Sequence, residues 1–351
     1  YNERVRIAKE QASDAELCAS FEKIERVRGD TALTYFEFGT LAAMQCFIEH
    51  KVDVAILEVG LGGRLDAVNV FDSDCAVLTS VDIDHTDYLG ETREQIAFEK
   101  AGIFRSGKVA ICADADVPQA VIDHAEKIGA QLWRIGREFS FKENSLPSPA
   151  GGRGQWSFRS LIGTRNALPY PALRGAFQLH NASAALAALE APKERLPASM
   201  EAVRRGLVEV QLAGRFQFVP GRPTLILDVA HNPHAARSLA QNLASLPPCP
   251  HTWAVFAMLR DKDMAGVVAA LDPHIDTWLV AGIAAPRGAT AEELAQVLQQ
   301  RGVRGAIQTF PDVTEALRYA YNVAGENDRI AAFGSFYTVA EAMAARGLHI
   351  T

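Results

Sequence analysis

Hydrophobic positions recur along the chain with two periods, and the alternation between them sets the fold class. Apolar residues three and four apart predict helices over 21–28 and 34–49, the second reading TYFEFGTLAAMQCFIE with Leu41, Met44, Phe47 and Ile48 at its apolar positions. Short continuous apolar runs predict strands over 52–59, 75–83, 109–112 and 131–135, with a helix over 117–127 between the last two. Thr92 and Gln95 make a capping-box pattern that opens a further helix. Gly102 is placed to stop it, which leaves Lys100 in its last turn. Residues 1–7 could begin a strand, and 142–163, with SLPSPAGGRG, read as an exposed loop or hairpin insertion. Helices are expected over 181–190 and 201–207.

Pro220, Gly221 and Pro223 make a natural linker, and beyond it the pattern restarts. Strands are expected over 224–229, 253–258, 277–281, 306–310 and 329–333, and helices over 234–246, 264–271, 291–300, 313–323 and 337–345. Strands that alternate with helices imply mostly parallel sheets. The expected fold is therefore α/β, with two doubly wound domains over 1–219 and 220–351; a length of 351 residues also exceeds what one core usually serves.

Composition narrows the function without naming it. With 35 Lys and Arg against 42 Asp and Glu the net charge is −7, so the chain carries no electrostatic footprint for nucleic acid and any bound nucleotide should be small. The five cysteines are scattered without a C-x-x-C pair and read as buried thiols in a reducing compartment. No apolar run approaches the ~18 residues of a membrane span, and no signal-peptide pattern opens the chain. A cytosolic address is expected.

Candidate chemistry gathers where apolar runs end. The run that closes on LEVGLGGRLD puts Glu58 beyond the carboxyl end of an expected buried parallel strand, where ligands of α/β sheets sit. Gly60, Gly62 and Gly63 would let the backbone turn tightly there. A plain turn after a strand fits the same residues. His85 closes the next run within DIDHTD, and Lys100 lies on the helix that follows. Two strand-end ligands in neighbouring βα units suit a divalent cation held partly by phosphate oxygens, whereas a lysine in a last turn is ordinarily a solvated cation facing the helix dipole. In the second half Asp228, His231 and Asn232 crowd a strand end before Pro233, and helix capping and ligand binding both fit that spacing. GIFRSGKV, from Gly102 to Val109, mimics a phosphate loop but has valine where the magnesium-binding hydroxyl belongs, and it follows a helix and opens a strand; it is rejected.

TYFEFGT, LEVGLGGRLDAVN, DIDHTDYLG, EKAGIFR, AGRFQ, LDVAHNPHAA, MLRDKD, PRGAT and GSFYTVA, in this order, resemble the bifunctional dihydrofolate and folylpolyglutamate synthases of the Mur ligase superfamily over nearly the whole chain. The family's N-terminal phosphate loop and the magnesium-binding serine after it have no counterpart, and the resemblance sets YNERVRI just beyond that serine, implying a central ATPase domain incomplete at its N-terminus. It implies ATP-dependent ligation of L-glutamate to dihydropteroate and to folates through an acyl phosphate, in a monomer with no nucleic-acid or membrane partner. By motif, Glu58 and His85 would ligate magnesium, at a centre with two metal positions, and Lys100 would be a carbamylated lysine beside them. Asn181, Arg215 and Asp228 match ATP-binding positions. Thr34, Tyr35, Phe36 and Glu37, with Leu65, Asp66 and Ala67, match the pterin site; His231 and Ser335 would help hold the incoming glutamate, although Ser335 also suits a helix cap. The rival readings are a peptidoglycan ligase of the same superfamily and a non-catalytic binding protein that kept the cleft.

Overall fold

The structure is a computed structural model that describes every residue except 85, 144–153, 176 and 349–351. Two compact units emerge from the packing. The first takes residues 1–140, 160–162 and 184–197, and the second takes 141–159, 163–183 and 198–351.

In the first unit a small hairpin, β1 (Arg6–Ile7) with β2 (Glu10–Gln11), precedes the packed helices α1 (Asp14–Arg28) and α2 (Tyr35–Glu49). Each helix opens on a capping box, Ser13 with Glu16 and Thr34 with Glu37, so local chemistry fixes both starts. A parallel sheet follows in the order β3 (Cys75–Leu78), β4 (Val109–Cys112), β5 (Gln131–Arg134). Between its strands lie α3 (Thr86–Leu89), α4 (Arg93–Ala101) and α5 (Gln119–Ile128). Ala76, Leu78, Ile96, Ala97, Ala110 and Val121 form the buried core where α4 and α5 cover this sheet. The Thr92–Gln95 capping box and the Gly102 stop are as the sequence predicts.

Residues 52–59 depart from expectation. They are neither buried nor part of a strand; Ile56 is 88% exposed and Val54 56%. The physical reason is that no strand among the described residues pairs with them, so the apolar run has no ladder to join and stays exposed. Likewise the strand expected over 75–83 ends at Leu78. The cysteine expectation needs correction too, because only Cys46 and Cys112 are buried and Cys18 is exposed; all five are free thiols.

A separate three-stranded sheet joins β6 (Phe139–Glu143), β7 (Gln155–Ser160) and β8 (Thr164–Pro169), the last two antiparallel. The sequence offered a loop or hairpin insertion over 142–163 but not the full extent of this sheet, and residues 144–153 lie outside the described residues. Helices α6 (Gln178–Glu190) and α7 (Met200–Glu209) follow.

The second unit is built on a six-stranded sheet in the order β13-β12-β11-β14-β10-β9, whose strands are β9 (Gln217–Val219), β10 (Thr224–Asp228), β11 (Thr252–Phe256), β12 (Thr277–Ala281), β13 (Ala306–Phe310) and β14 (Arg329–Phe333). All neighbours run parallel except β9, which is antiparallel at the edge. Alternate side chains enter two cores. Ile226, Phe256, Trp278 and Phe333 meet Leu239, Val267 and Leu294 from α8 (Pro233–Ala244), α9 (Met264–Leu271) and α10 (Ala291–Arg301). Leu225, Leu227, Val255 and Leu279 meet Leu317 and Met343 from α11 (Val313–Val323) and α12 (Phe336–Ala345). Burial on both faces explains why these strands read as continuous apolar runs, and it makes this a doubly wound sheet.

Candidate active site

Each unit carries its own cluster of the expected residues. In the first, the glycine-rich turn after Glu58 is the hub. Gly62 takes a left-handed φ of +68°, and a Cβ on buried Gly63 would stand 2.9 Å from the carbonyl oxygens of both Glu99 and Lys100, so only glycine lets the turn rest against the end of α4. Arg64 completes the contact: its N–H donates to the Glu99 carbonyl at 2.8 Å and its guanidinium grips the Glu99 carboxylate. Asp66 staples the turn from the other side, accepting the N–H groups of Gly60 at 3.0 Å, Leu61 at 2.9 Å and Val68 at 3.0 Å.

Against this turn lies the start of α2. The Phe36 ring sits directly over Gly60, where an added Cβ would meet its Cζ at 2.8 Å. The segments 34–37 and 65–67 are therefore brought together, yet their members do different work. Thr34 and Glu37 spend their polar atoms on the capping box, and Asp66 spends its own on the turn and on the short turn Ala67–Val70 that it caps. What remains presented is apolar: Tyr35 is 67% exposed, Leu65 80% and Phe36 36%. Tyr35 is edge-on to Tyr1, and the Arg4 guanidinium lies 5.7 Å from its centroid.

Glu58 is exposed, and its carboxylate has no hydrogen bond or ion pair with any other described residue. Lys100 is partly buried. That burial pushes its ammonium below the ordinary lysine value, opposed only by the negative charge of Asp84. Asp84 is a residue that the sequence reading passed over, although DIDHTD carries three acids beside the histidine. His85 itself lies outside the described residues. Among the described residues no three His, Cys, Asp or Glu side chains gather as a metal cluster. An exposed carboxylate without a partner among the described residues is chemically suited to a hard cation that draws the rest of its oxygens from phosphates.

In the second unit the cluster stands at the carboxyl ends of the adjacent parallel strands β10 and β14, where Asp228 is in register with Phe333. Asp228 accepts the N–H of Phe216 at 2.9 Å and that of Ala230 at 2.8 Å. Phe216 is held at a φ of +47°, a left-handed conformation that costs a non-glycine residue on the order of 1–3 kcal/mol. The carboxylate thus fixes a strained turn whose preceding residue is Arg215. Burial raises the Asp228 pKa to about 6, against the lowering effect of its two N–H donors and of Arg215. The Arg215 side chain is exposed and forms no hydrogen bond to a described residue; its guanidinium lies 5.6 Å from the centre of the Phe336 ring. All five of its N–H donors are available to a ligand.

His231 is 6.2 Å from the same ring, and its Nδ1 is 2.9 Å from the Val229 carbonyl. Since a carbonyl only accepts, Nδ1 carries the proton and a neutral ring keeps its lone pair on Nε2. Asn232 caps α8 and Ser335 caps α12, the latter buried and bonded to Thr338, so for both the capping reading describes the side chain as it stands. Asn181 is exposed on the second turn of α6. Phe336, 59% exposed between Arg215 and His231, was missed; its signal was an aromatic immediately after a strand-end serine.

Comparison with known proteins matches residues 13–189 to the Mur ligase middle domain and 214–336 to the Mur ligase glutamate ligase domain. The dihydrofolate synthase/folylpolyglutamate synthase of Escherichia coli is 44% identical over 343 residues, covering 98% of this chain and 76% of that protein. Its counterpart in Haemophilus influenzae is 40% identical, covering 97% and 79%. Among solved structures, E. coli FolC in complex with DHPP and ADP superposes with a TM-score of 0.90 at 43% identity, over 99% of this chain and 79% of that one. A bifunctional folylpolyglutamate synthase/dihydrofolate synthase with Mn, AMPPNP and L-glutamate bound gives 0.88 at 47% identity, over 99% and 80%. The chain belongs to the dihydrofolate synthase/folylpolyglutamate synthase family, within the Mur ligases.

Proposed function

We propose that the chain ligates L-glutamate to dihydropteroate and to folates, consuming ATP and passing through an acyl phosphate. A carboxylate oxygen is a poor leaving group, so the γ-phosphoryl group is first transferred to it; the glutamate amine then attacks the carbonyl carbon and inorganic phosphate leaves. The observation that carries this reading is Arg215: an exposed, unengaged guanidinium, set on a strained turn that a strand-end carboxylate holds in place. Strain kept beside a free cation suits a phosphate clamp, since a guanidinium can take two phosphate oxygens at once. Relatives that match across nearly the whole chain carry the name dihydrofolate synthase/folylpolyglutamate synthase, which favours folate over a peptidoglycan precursor as the substrate.

The remaining roles follow from what each side chain has free. Tyr35, Phe36 and Leu65 would supply the apolar bed for a flat pterin, while Thr34, Glu37, Asp66 and Ala67 hold that bed in shape. Asn181 and Asp228 would help seat the nucleotide. Nε2 of His231 is suited to take a proton from the glutamate ammonium, and Ser335 would act on glutamate through the capped start of α12. Glu58, with His85 and a carbamylated Lys100, would hold magnesium, and the ion would neutralise charge on the phosphates. Burial that favours a neutral Lys100 amine supports carbamylation, because only the neutral amine adds carbon dioxide. Residues 1–219 would serve the nucleotide and pterin, and 220–351 the glutamate, with Asp228 of the latter also serving the nucleotide. A monomer in the cytosol without nucleic-acid or membrane partners fits the acidic net charge, and no helix among the described residues is long and apolar enough to cross a membrane.

The test is ADP release by the purified protein with magnesium and ATP. Release that requires both L-glutamate and either dihydropteroate or a reduced folate is expected. Release with a UDP-sugar peptide in place of the pterin would overturn the assignment.

A further inference from the structure

We propose that Asn69 and Arg105 are positioning residues for the ligase reaction, locking the turn that follows Glu58 onto the end of α4 that bears Lys100. The proposal rests on the reading of Glu58 and Lys100 given above. Asn69 lies just past the pterin-site segment and Arg105 lies within GIFRSGKV, the stretch rejected as a phosphate loop.

Asn69 bridges the two elements with one amide. Its Nδ2 donates to the Arg64 carbonyl on the turn and to the Gly102 carbonyl at the end of α4, each at 3.1 Å. Its Oδ1 accepts from Arg105 Nη2 at 3.0 Å. Two acceptors on one side and a donor on the other assign the amide orientation and use both ends of it. Arg105 then ties the bridge down: Nη2 also donates to the Asn69 carbonyl at 2.7 Å, Nη1 to the Phe104 carbonyl at 3.2 Å, and Nε to Asp72 at 2.6 Å. Both side chains are partly buried, and the bonds to Gly102, Phe104 and Asn69 lie partly out of water, whereas those to the Arg64 carbonyl and to Asp72 are exposed.

The arrangement holds the turn tightly against the end of α4. Gly102 is so close to Arg64 that a Cβ on it would fall 2.4 Å from the Arg64 Cβ. From Arg64 the connection runs through Asp66, which holds Gly60 and Leu61, two and three residues past Glu58. On the other side Gly102 is two residues past Lys100, whose carbonyl accepts from Ile103. A bridge that served stability alone could sit anywhere along the turn. This one joins the end of the turn nearest to Lys100, so releasing it should let Glu58 and Lys100 drift apart and loosen whatever they hold jointly.

The experiment compares the magnesium concentration for half-maximal glutamate-dependent ADP release in the parent, Asn69→Asp, Arg105→Gln and Glu58→Gln. Asn69→Asp keeps size and the Arg105 partner but turns a carboxylate oxygen toward two carbonyls. We expect Asn69→Asp and Arg105→Gln to need at least about tenfold more magnesium, with the KM for glutamate within about twofold of the parent. The double variant Asn69→Asp/Glu58→Gln should need no more than Glu58→Gln alone, because residues acting through one another are not additive. Should Asn69→Asp fail to fold, Asn69→Ser, which removes the bridge without adding charge, takes its place. Folded Asn69 and Arg105 variants with the parent's magnesium requirement, beside a Glu58→Gln that raises it, would overturn the positioning role alone. A Glu58→Gln with an unchanged requirement would overturn the metal-ligand reading, and the positioning role with it.

Discussion

At Asp228 a carboxylate is asked to do two things that oppose each other. Burial favours the neutral acid, while the two N–H donors and Arg215 favour the anion; burial wins, and the pKa rises to about 6. A folded-state value above the unfolded one, near 3.9, means that the folded chain binds the extra proton between the two. Asp228 therefore contributes stability that is full below about pH 4 and is lost as the pH rises through about 6, an effect on the order of 2–3 kcal/mol. Asp228→Asn removes the titration. The difference in melting temperature, variant minus parent, should climb from pH 4 to 6 and level off above 7, whatever constant offset the misplaced amide adds. Parallel curves from thermal melts without nucleotide would show that the carboxylate is not raised. Lys100 invites a chemical test at the same scale. If a carbamate there supplies the oxygens, Lys100→Ala should lose most activity and regain part of it with acetate, whose carboxylate can enter the vacated space. Activity indifferent to acetate, formate and propionate alike would remove the carbamate from the account.

At the scale of elements, the glycine turn shows how a loop can be as fixed as a helix. Gly63→Ala should cost several kcal/mol, because its Cβ would meet two backbone carbonyls of α4 that cannot swing aside, and overpacking of this kind typically costs about 1–3 kcal/mol even against mobile side chains. Chemical denaturation would read the loss directly; a melt like the parent's would mean that the turn yields. The same region marks where the sequence was legible and where it was not. Strands β12, β13 and β14 and helices α9 and α11 fall on the predicted residues; β12 and β14 are buried apolar runs and α11 is a capped amphipathic stretch, which are local signals. The apolar run over 52–59 carries the same local signal, yet a strand needs a neighbour, and periodicity does not report one. Of the candidate site, motif resemblance singled out Glu58, Lys100, Arg215 and Asp228 as candidates. It did not reveal that Thr34, Glu37 and Ser335 are spent on caps, nor that Phe336 stands between Arg215 and His231, because those facts are tertiary or depend on which atoms remain free.

For the molecule as a whole, the net charge of −7 is of the same sign as ATP, folates and glutamate. Attraction must then come from local cations set where the ligand's charge falls, and nucleotide affinity should depend on few of them. Arg215 is the clearest, being exposed, unengaged and held by a strained backbone. ADP that binds the folded chain alone raises its stability by RT ln(1 + [L]/Kd), which is about 2.7 kcal/mol at a hundred times Kd, so the parent should melt several degrees higher with saturating ADP. Loss of charge-assisted bonds to phosphate typically removes about 1.5–3 kcal/mol of binding, a weakening of roughly 10- to 150-fold. Arg215→Ala should consequently melt close to the parent without ADP, since the side chain makes no hydrogen bond to a described residue and only an exposed contact with the Phe336 ring, and show a clearly smaller upward shift at an ADP concentration that saturates the parent. The parent's shift should also shrink with added salt, while the variant's should hardly respond. An Arg215→Ala protein whose melting temperature rises with ADP as the parent's does would take the phosphate clamp away from Arg215, and with it the feature on which the nucleotide site of the second unit has been built.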